Sequence, residues 1–129
     1  MNPNLHFDAS RAPLLHVTLD GKMRDDELDA FLEAAGSWFD EHAGQPFVVL
    51  VEIGKAERTT SAQNAKMRDW YMPRRDAFLT RCEGLALVIP GRMQRAVVMA
   101  LLKAKPLVVP HCLVKSRALA EDWCAPRVR

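Results

Sequence analysis

Two stretches of this chain, FVVLVEI at 47–53 and LALVI at 85–89, are continuous apolar, largely β-branched runs of strand length. A strand with one wet face alternates polar and apolar residues, whereas a strand that is apolar throughout is covered on both faces. Helices must supply that cover, and the segments between the runs have the spacing to do so. From Arg24 onward, Leu28, Phe31, Leu32, Ala35, Phe39 and His42 recur every three or four residues, the period of an amphipathic helix ending near Gly44. Asp25, Asp26 and Glu27 fall in its first turn, where the positive end of the helix dipole favours acids. A second helix is expected over 61–81, kinked or broken near Met72 because Pro73 lies inside it. A third is expected over 92–105 after Pro90-Gly91, and a short last helix after Ser116, its N-cap, carries Leu119, Ala120 and Trp123.

Shorter strands complete the pattern at 5–7, 14–19 and 111–115. The first two flank DASRAP, a link so short that they must pair antiparallel. The order is therefore β-β-α-β-α-β-α-β-α, one α/β domain spanning 1–129, with a mainly parallel sheet, an antiparallel edge strand and covering helices. A chain of 129 residues, 49% hydrophobic and 26% charged, is the right size and composition for one such core. No apolar run approaches the roughly 20 residues that span a bilayer, and the start has no basic-then-apolar leader pattern. Cys82, Cys112 and Cys124 are odd in number with no CxxC, so free thiols and a cytoplasmic location are expected.

Charge is unevenly spread. Residues 1–64 carry 5 basic and 11 acidic side chains, net −6, and residues 65–129 carry net +8. The basic half can meet an anionic partner or its own acidic half. Arg68, Arg74, Arg75 and Arg81 accompany Trp70 and Tyr71, but an overall charge of +2 and the helical spacing point to a solvated face, not to nucleic acid.

The order of elements resembles the STAS-like family, small domains related to bacterial anti-anti-sigma factors. It is most similar to the divergent branch grouped with CRAL-TRIO lipid-transfer domains. The residues that carry the resemblance are LLHVTLDGKMRDDELDAFLEAA, LALVIPGRMQRAVVMALL and PHCLVKSRALAEDW, which together run over 14–124. It implies a non-catalytic regulatory or binding module acting through a protein partner or as a homo-oligomer, with no cofactor. The lipid-transfer side of the resemblance implies instead a carrier of a small apolar ligand. Anti-anti-sigma members carry an Asp-Ser-Ser-Gly-like motif after the central strand, with a phosphorylated Ser. Here the equivalent stretch is KAERTTSAQN, which makes Thr60 and Ser61 the candidate phospho-acceptors while lacking the Asp and the Gly.

The same stretch, read from its residues, has one Gly and no GK[ST], so it cannot wrap a phosphate as a Walker loop does. Ser61 is expected to cap the second helix, accepting an N–H from Gln63 or Asn64. Lys55, Arg58 and Arg92 are candidate anion contacts, since the loops at 54–61 and 90–92 both lead into helix N-termini at the carboxyl edge of the sheet. An uncharacterised enzyme would use those loops. No catalytic set stands out: His6, His16, His42 and His111 show no HxxxH or HExxH spacing for a metal, and no serine lies in GxSxG. His111 and Cys112 are strand neighbours that point to opposite faces.

The helix at 92–105 has two apolar sides. Met93, Ala96, Val97, Ala100, Leu101 and Ala104 form one stripe, expected to cover the sheet. Val98, Met99 and Leu102 lie opposite, rimmed by Arg95, Lys103 and Lys105, and form a candidate contact surface for a subunit, a partner or an apolar ligand. That second side becomes core if 106–110 or the kinked helix folds over it.

Overall fold

The computed structural model of the chain describes residues 4–55 and 57–128. Five strands form one sheet in the order β1(Leu5–Asp8), β2(Leu14–Leu19), β3(Phe47–Ile53), β4(Cys82–Val88), β5(His111–Val114). β1 and β2 are antiparallel, and every later pairing is parallel. The helices are α1(Asp25–Glu41), α2(Ser61–Tyr71), α3(Arg75–Arg81), α4(Arg92–Ala104) and α5(Arg117–Cys124). The break expected at Pro73 is present as a 3₁₀ turn, Met72–Arg74, between α2 and α3. Gly44 ends the α1 region with φ +92°, a left-handed conformation that a side chain resists.

Because the sheet order never reverses, right-handed crossovers place the connecting helices on one face. Alternate residues show the division. Leu15, Phe47 and Val49 pack with Trp38 and Phe39 of α1 and with Phe78 and Leu79 of α3. Leu14, Val48, Leu50, Ala86 and Val88 point the other way and pack on Ala120 and Cys124 of α5. Phe47, Val48 and Leu50 are all but sealed from solvent, each stabilising the fold by roughly 1.5–3 kcal/mol. β3 is thus covered on both sides over its first half, which is why residues 47–51 are apolar on both faces, while Glu52 falls in the less buried second half.

α5 is short, and it approaches β4 closely. A Cβ on Gly84 would lie 2.9 Å from the Trp123 ring, so the absence of a side chain is what lets the indole rest on the strand. Arg127 stacks on that ring, 3.7 Å from its centroid, and its side chain also approaches Gly84. α5 reaches β3, β4 and β5. The β1–β2 end of this face carries a polar set instead, described below.

The cap of α2 corrects the expectation at Ser61. Thr60, not Ser61, is the N-cap: its Oγ1 accepts the Gln63 N–H at 3.0 Å, and the Gln63 Oε1 accepts the Thr60 N–H at 3.0 Å. Ser61 is the first helical residue and is exposed. The reason is reciprocity: only Thr60 has a Gln three residues on, completing a capping box. Gln63 is buried, and its Nε2 donates to the Met23 carbonyl (2.8 Å) and the Asp25 carboxylate (3.0 Å), tying α2 to the start of α1. Ser116 caps α5 as expected, accepting the Leu119 N–H.

α4 brings the larger correction. No residue in it is fully buried. Met93, Val97 and Leu101, expected to cover the sheet, are 81%, 60% and 63% exposed. Val98, Leu102 and Arg95 are half-buried and turned inward, while Met99 is exposed on the flank. The stripe is where the periodicity places it, but the helix is rolled so that it faces outward, and α4 rests on β5 through the opposite side.

Candidate functional site

Parallel strands all end on one edge, and there the loops after β2, β3 and β4 meet around a cleft of about 620 Å³ lined by Asp20, Gly54, Lys55, Pro90, Gly91 and Gln94. Main-chain bonds lace its floor: Gly54 N–H to Leu19 O (2.8 Å), Gly21 N–H to Lys55 O (3.0 Å) and Glu57 N–H to Gly21 O (3.1 Å). Asp20 Oδ1 accepts the Lys55 N–H at 2.9 Å, and a Cβ on Gly54 would sit 2.7 Å from that oxygen, so a side chain there would push the carboxylate away. Gly91 is the N-cap of α4 and offers no side-chain cap. Arg95 instead clamps the end of the preceding strand, donating to the Ile89 and Pro90 carbonyls at 2.8 and 2.7 Å.

Of the expected anion contacts, the cleft brings Lys55 together with the start of α4. Arg58 and Arg92 are exposed and do not line it. The Thr60 hydroxyl is engaged in its capping bond, while Ser61 stands free of α2's capping box at the helix start. Cys112 packs toward α5 and His111 is exposed with Nδ1 near the Val109 carbonyl, so the two point apart as strand neighbours do. Among the described residues, no three His, Cys, Asp or Glu side chains converge to hold a metal ion.

The three cysteines are free. Burial pushes the Cys82 and Cys124 thiols up to about 11 and raises that of Cys112, which keeps them protonated and unreactive at neutral pH.

One polar set had no local signature in the sequence. Strand register aligns His6, Thr18 and Glu52 in one row across β1, β2 and β3, and Asp8, His16 and Leu50 in the next. Glu52 Oε1 accepts from Arg117 Nε at 2.7 Å and lies 3.4 Å from His16 Nε2. The Arg117 hydrogen bond, with its charge, holds the Glu52 carboxyl below the usual carboxylate range. This set closes the polar end of the sheet face that α5 leaves open. It contains no nucleophile bonded to a base, and its pairs tie β3 to parallel β2 and to the start of α5.

The feature least like an ordinary monomer surface is α4. Its outward stripe of Met93, Val97 and Leu101, with Ala96, Ala100 and Ala104, runs about 17 Å along the helix. Arg92 and Lys103 border it, Lys105 follows, and the helix contains no acid. Val108, 81% exposed, and Leu107 continue the apolar character in the next segment.

No family model matches the chain, and no curated protein matches it. Among solved structures it is similar to an uncharacterized protein of the DUF3478 family with a SpoIIAA-like fold, from Shewanella loihica PV-4. The two share 13% identity over 95% of this chain and 98% of that one, with a TM-score of 0.68. The fold is therefore SpoIIAA-like, the STAS-like architecture that the sequence resembles.

Proposed function

We propose that this STAS-like domain is a non-catalytic binding module that acts through a protein partner, and that the partner seats on the outward face of α4. The observation that carries the reading is the direction of that face. A surface helix normally turns its apolar stripe inward, because exposing Met, Val and Leu together forgoes the burial that would stabilise the fold. Isolated exposed apolar groups are ordinary, whereas a continuous stripe rimmed by charge is the composition of a contact surface. Charge selects the kind of partner. Two copies of α4 packed together would oppose Arg92, Lys103 and Lys105 with their own like, without an acid on either helix. A partner with an apolar patch and acidic rim meets the same face favourably.

Affinity capture with the tagged chain tests this. Val97→Glu and Leu101→Glu should each abolish recovery of a partner, while Leu119→Glu, at a residue 45% exposed on α5, should leave recovery unchanged. Equal recovery by all three variants would refute the reading. So would native mass spectrometry showing a small apolar molecule, and no protein, released by the α4 changes.

A further inference from the structure

β1 lies at the edge of the sheet, and its free side faces a slot rather than open solvent. The direction of its main-chain groups follows from register. Asn4 O accepts the Asp20 N–H at 2.8 Å while the Asn4 N–H donates to Glu27, so the Asn4 carbonyl, His6 and Asp8 turn toward β2, and Leu5 and Phe7 turn their N–H and C=O outward. The parallel side of β2 agrees, since Pro13 and Leu19 direct their carbonyls to β3. One outward donor is already met: the Leu5 N–H reaches the Glu27 carboxylate of α1 at 3.3 Å, where the carbonyl of a further strand would otherwise lie. The Leu5 carbonyl and both polar groups of Phe7 make no other hydrogen bond among the described residues.

Beside this edge, β1 and α1 enclose a cleft of about 370 Å³. Phe7 and Phe31 pack edge to face at 5.9 Å and form its floor, and on the α1 side it is walled by Ala30 and Ala34, both exposed. Small side chains at these two positions leave room for a partner's side chains between strand and helix. We infer that this slot binds an extended, basic peptide segment of another protein, which adds to β1 as a sixth strand and lays alternate apolar side chains over Ala30 and Ala34.

Charge decides the occupant. Asp26 borders the slot and Glu33 lies two turns further along the same side of α1, within an N-terminal half of net −6. Arg24, the cation at the slot, lies 3.2 Å from Glu27 and 3.5 Å from Asp26, so one cation faces two acids there and the slot keeps a net negative charge, to which Glu33 adds. A second copy paired through β1 would bring two such α1 helices side by side with their acids facing, whereas lysines or arginines flanking an extended peptide meet those acids. This surface is separate from α4, and the inference does not depend on the partner proposed there.

The test uses the intact chain and a phage-displayed library of random peptides about seven residues long, roughly 23 Å when extended. Selected peptides should alternate apolar residues and carry Lys or Arg. Ala34→Phe, which fills the slot from an exposed position, should weaken them at least about tenfold. Methylating the peptide nitrogen opposite Phe7 should do the same with the protein unchanged, and hydrogen exchange at the Phe7 amide should slow on binding. No enrichment, equal binding by Ala34→Phe, or indifference to the N-methyl group would overturn the inference. Dimers in light scattering that Ala34→Phe dissociates would also overturn it, by naming a second copy as the occupant.

Discussion

Replacing Gln63 by Ala should be among the most destabilising polar changes in this chain. Its side chain accepts one main-chain N–H, donates to one main-chain carbonyl and donates to one carboxylate, all at 2.8–3.0 Å, while 5% exposed. A net contribution of about 0.5–1.5 kcal/mol per bond, with a buried Met23 carbonyl left unmet, gives a loss of about 2–4 kcal/mol. Thr60→Ala removes one capping acceptor and should cost about 1 kcal/mol. Ser61→Ala should fall within about 0.5 kcal/mol of zero, as exposed changes do. Urea unfolding followed by far-UV circular dichroism reads all three. With a slope of about 2 kcal/mol/M, the Gln63→Ala midpoint should drop by about 1–2 M and that of Thr60→Ala by about 0.5 M. The double variant should depart from the sum, since each substitution removes one bond of the same capping box. A Ser61→Ala midpoint that falls as far as Thr60→Ala, or a Gln63→Ala midpoint that does not move, would refute the reasoning.

Leu102→Glu should destabilise the fold by about 1–3 kcal/mol because Leu102 faces inward, while Val97→Glu should leave the thermal midpoint unchanged; a melt of each decides. Gly84→Ala should lower stability by forcing Trp123 off β4, with a red shift in tryptophan fluorescence as its indole gains solvent. The buried thiols set a basic limit. Because Cys82 and Cys124 stay protonated in the fold up to about 11, against about 9 when unfolded, their contribution is complete below pH 9 and is lost as pH rises toward 11. Unfolding midpoints should therefore fall over that window, and a Cys82→Ala, Cys124→Ala double variant should show a flatter decline.

The sequence displayed the architecture wherever burial leaves a local trace. Continuous apolar runs marked β3 and β4, Pro73 marked the break between α2 and α3, and Ser116 marked the start of α5. The α2 cap lies one residue before Ser61 because Thr60 and Ser61 are both competent caps, and only the Thr60-to-Gln63 spacing, a capping box, separates them. The roll of α4 was not legible in principle. Periodicity defines a stripe, and assigning it to the core assumes that burial wins, which fails where a helix keeps its apolar side for another surface. The set around Glu52 lay beyond any local pattern, because His16, Glu52 and Arg117 meet only once strand register and the position of α5 are known. The slot beside β1 is likewise made by a strand and a helix whose separate sequences look ordinary.

The direct measurement for the binding role is photocrosslinking in cells from benzophenone-bearing residues placed singly at position 97, on the outward face of α4, and at position 122, exposed on α5. Position 97 should yield one discrete protein adduct of higher mass, distinct from a doubled chain, and position 122 should yield none. Identical adduct patterns from both positions, or an adduct at 97 consisting solely of a second copy, would contradict a protein partner on α4.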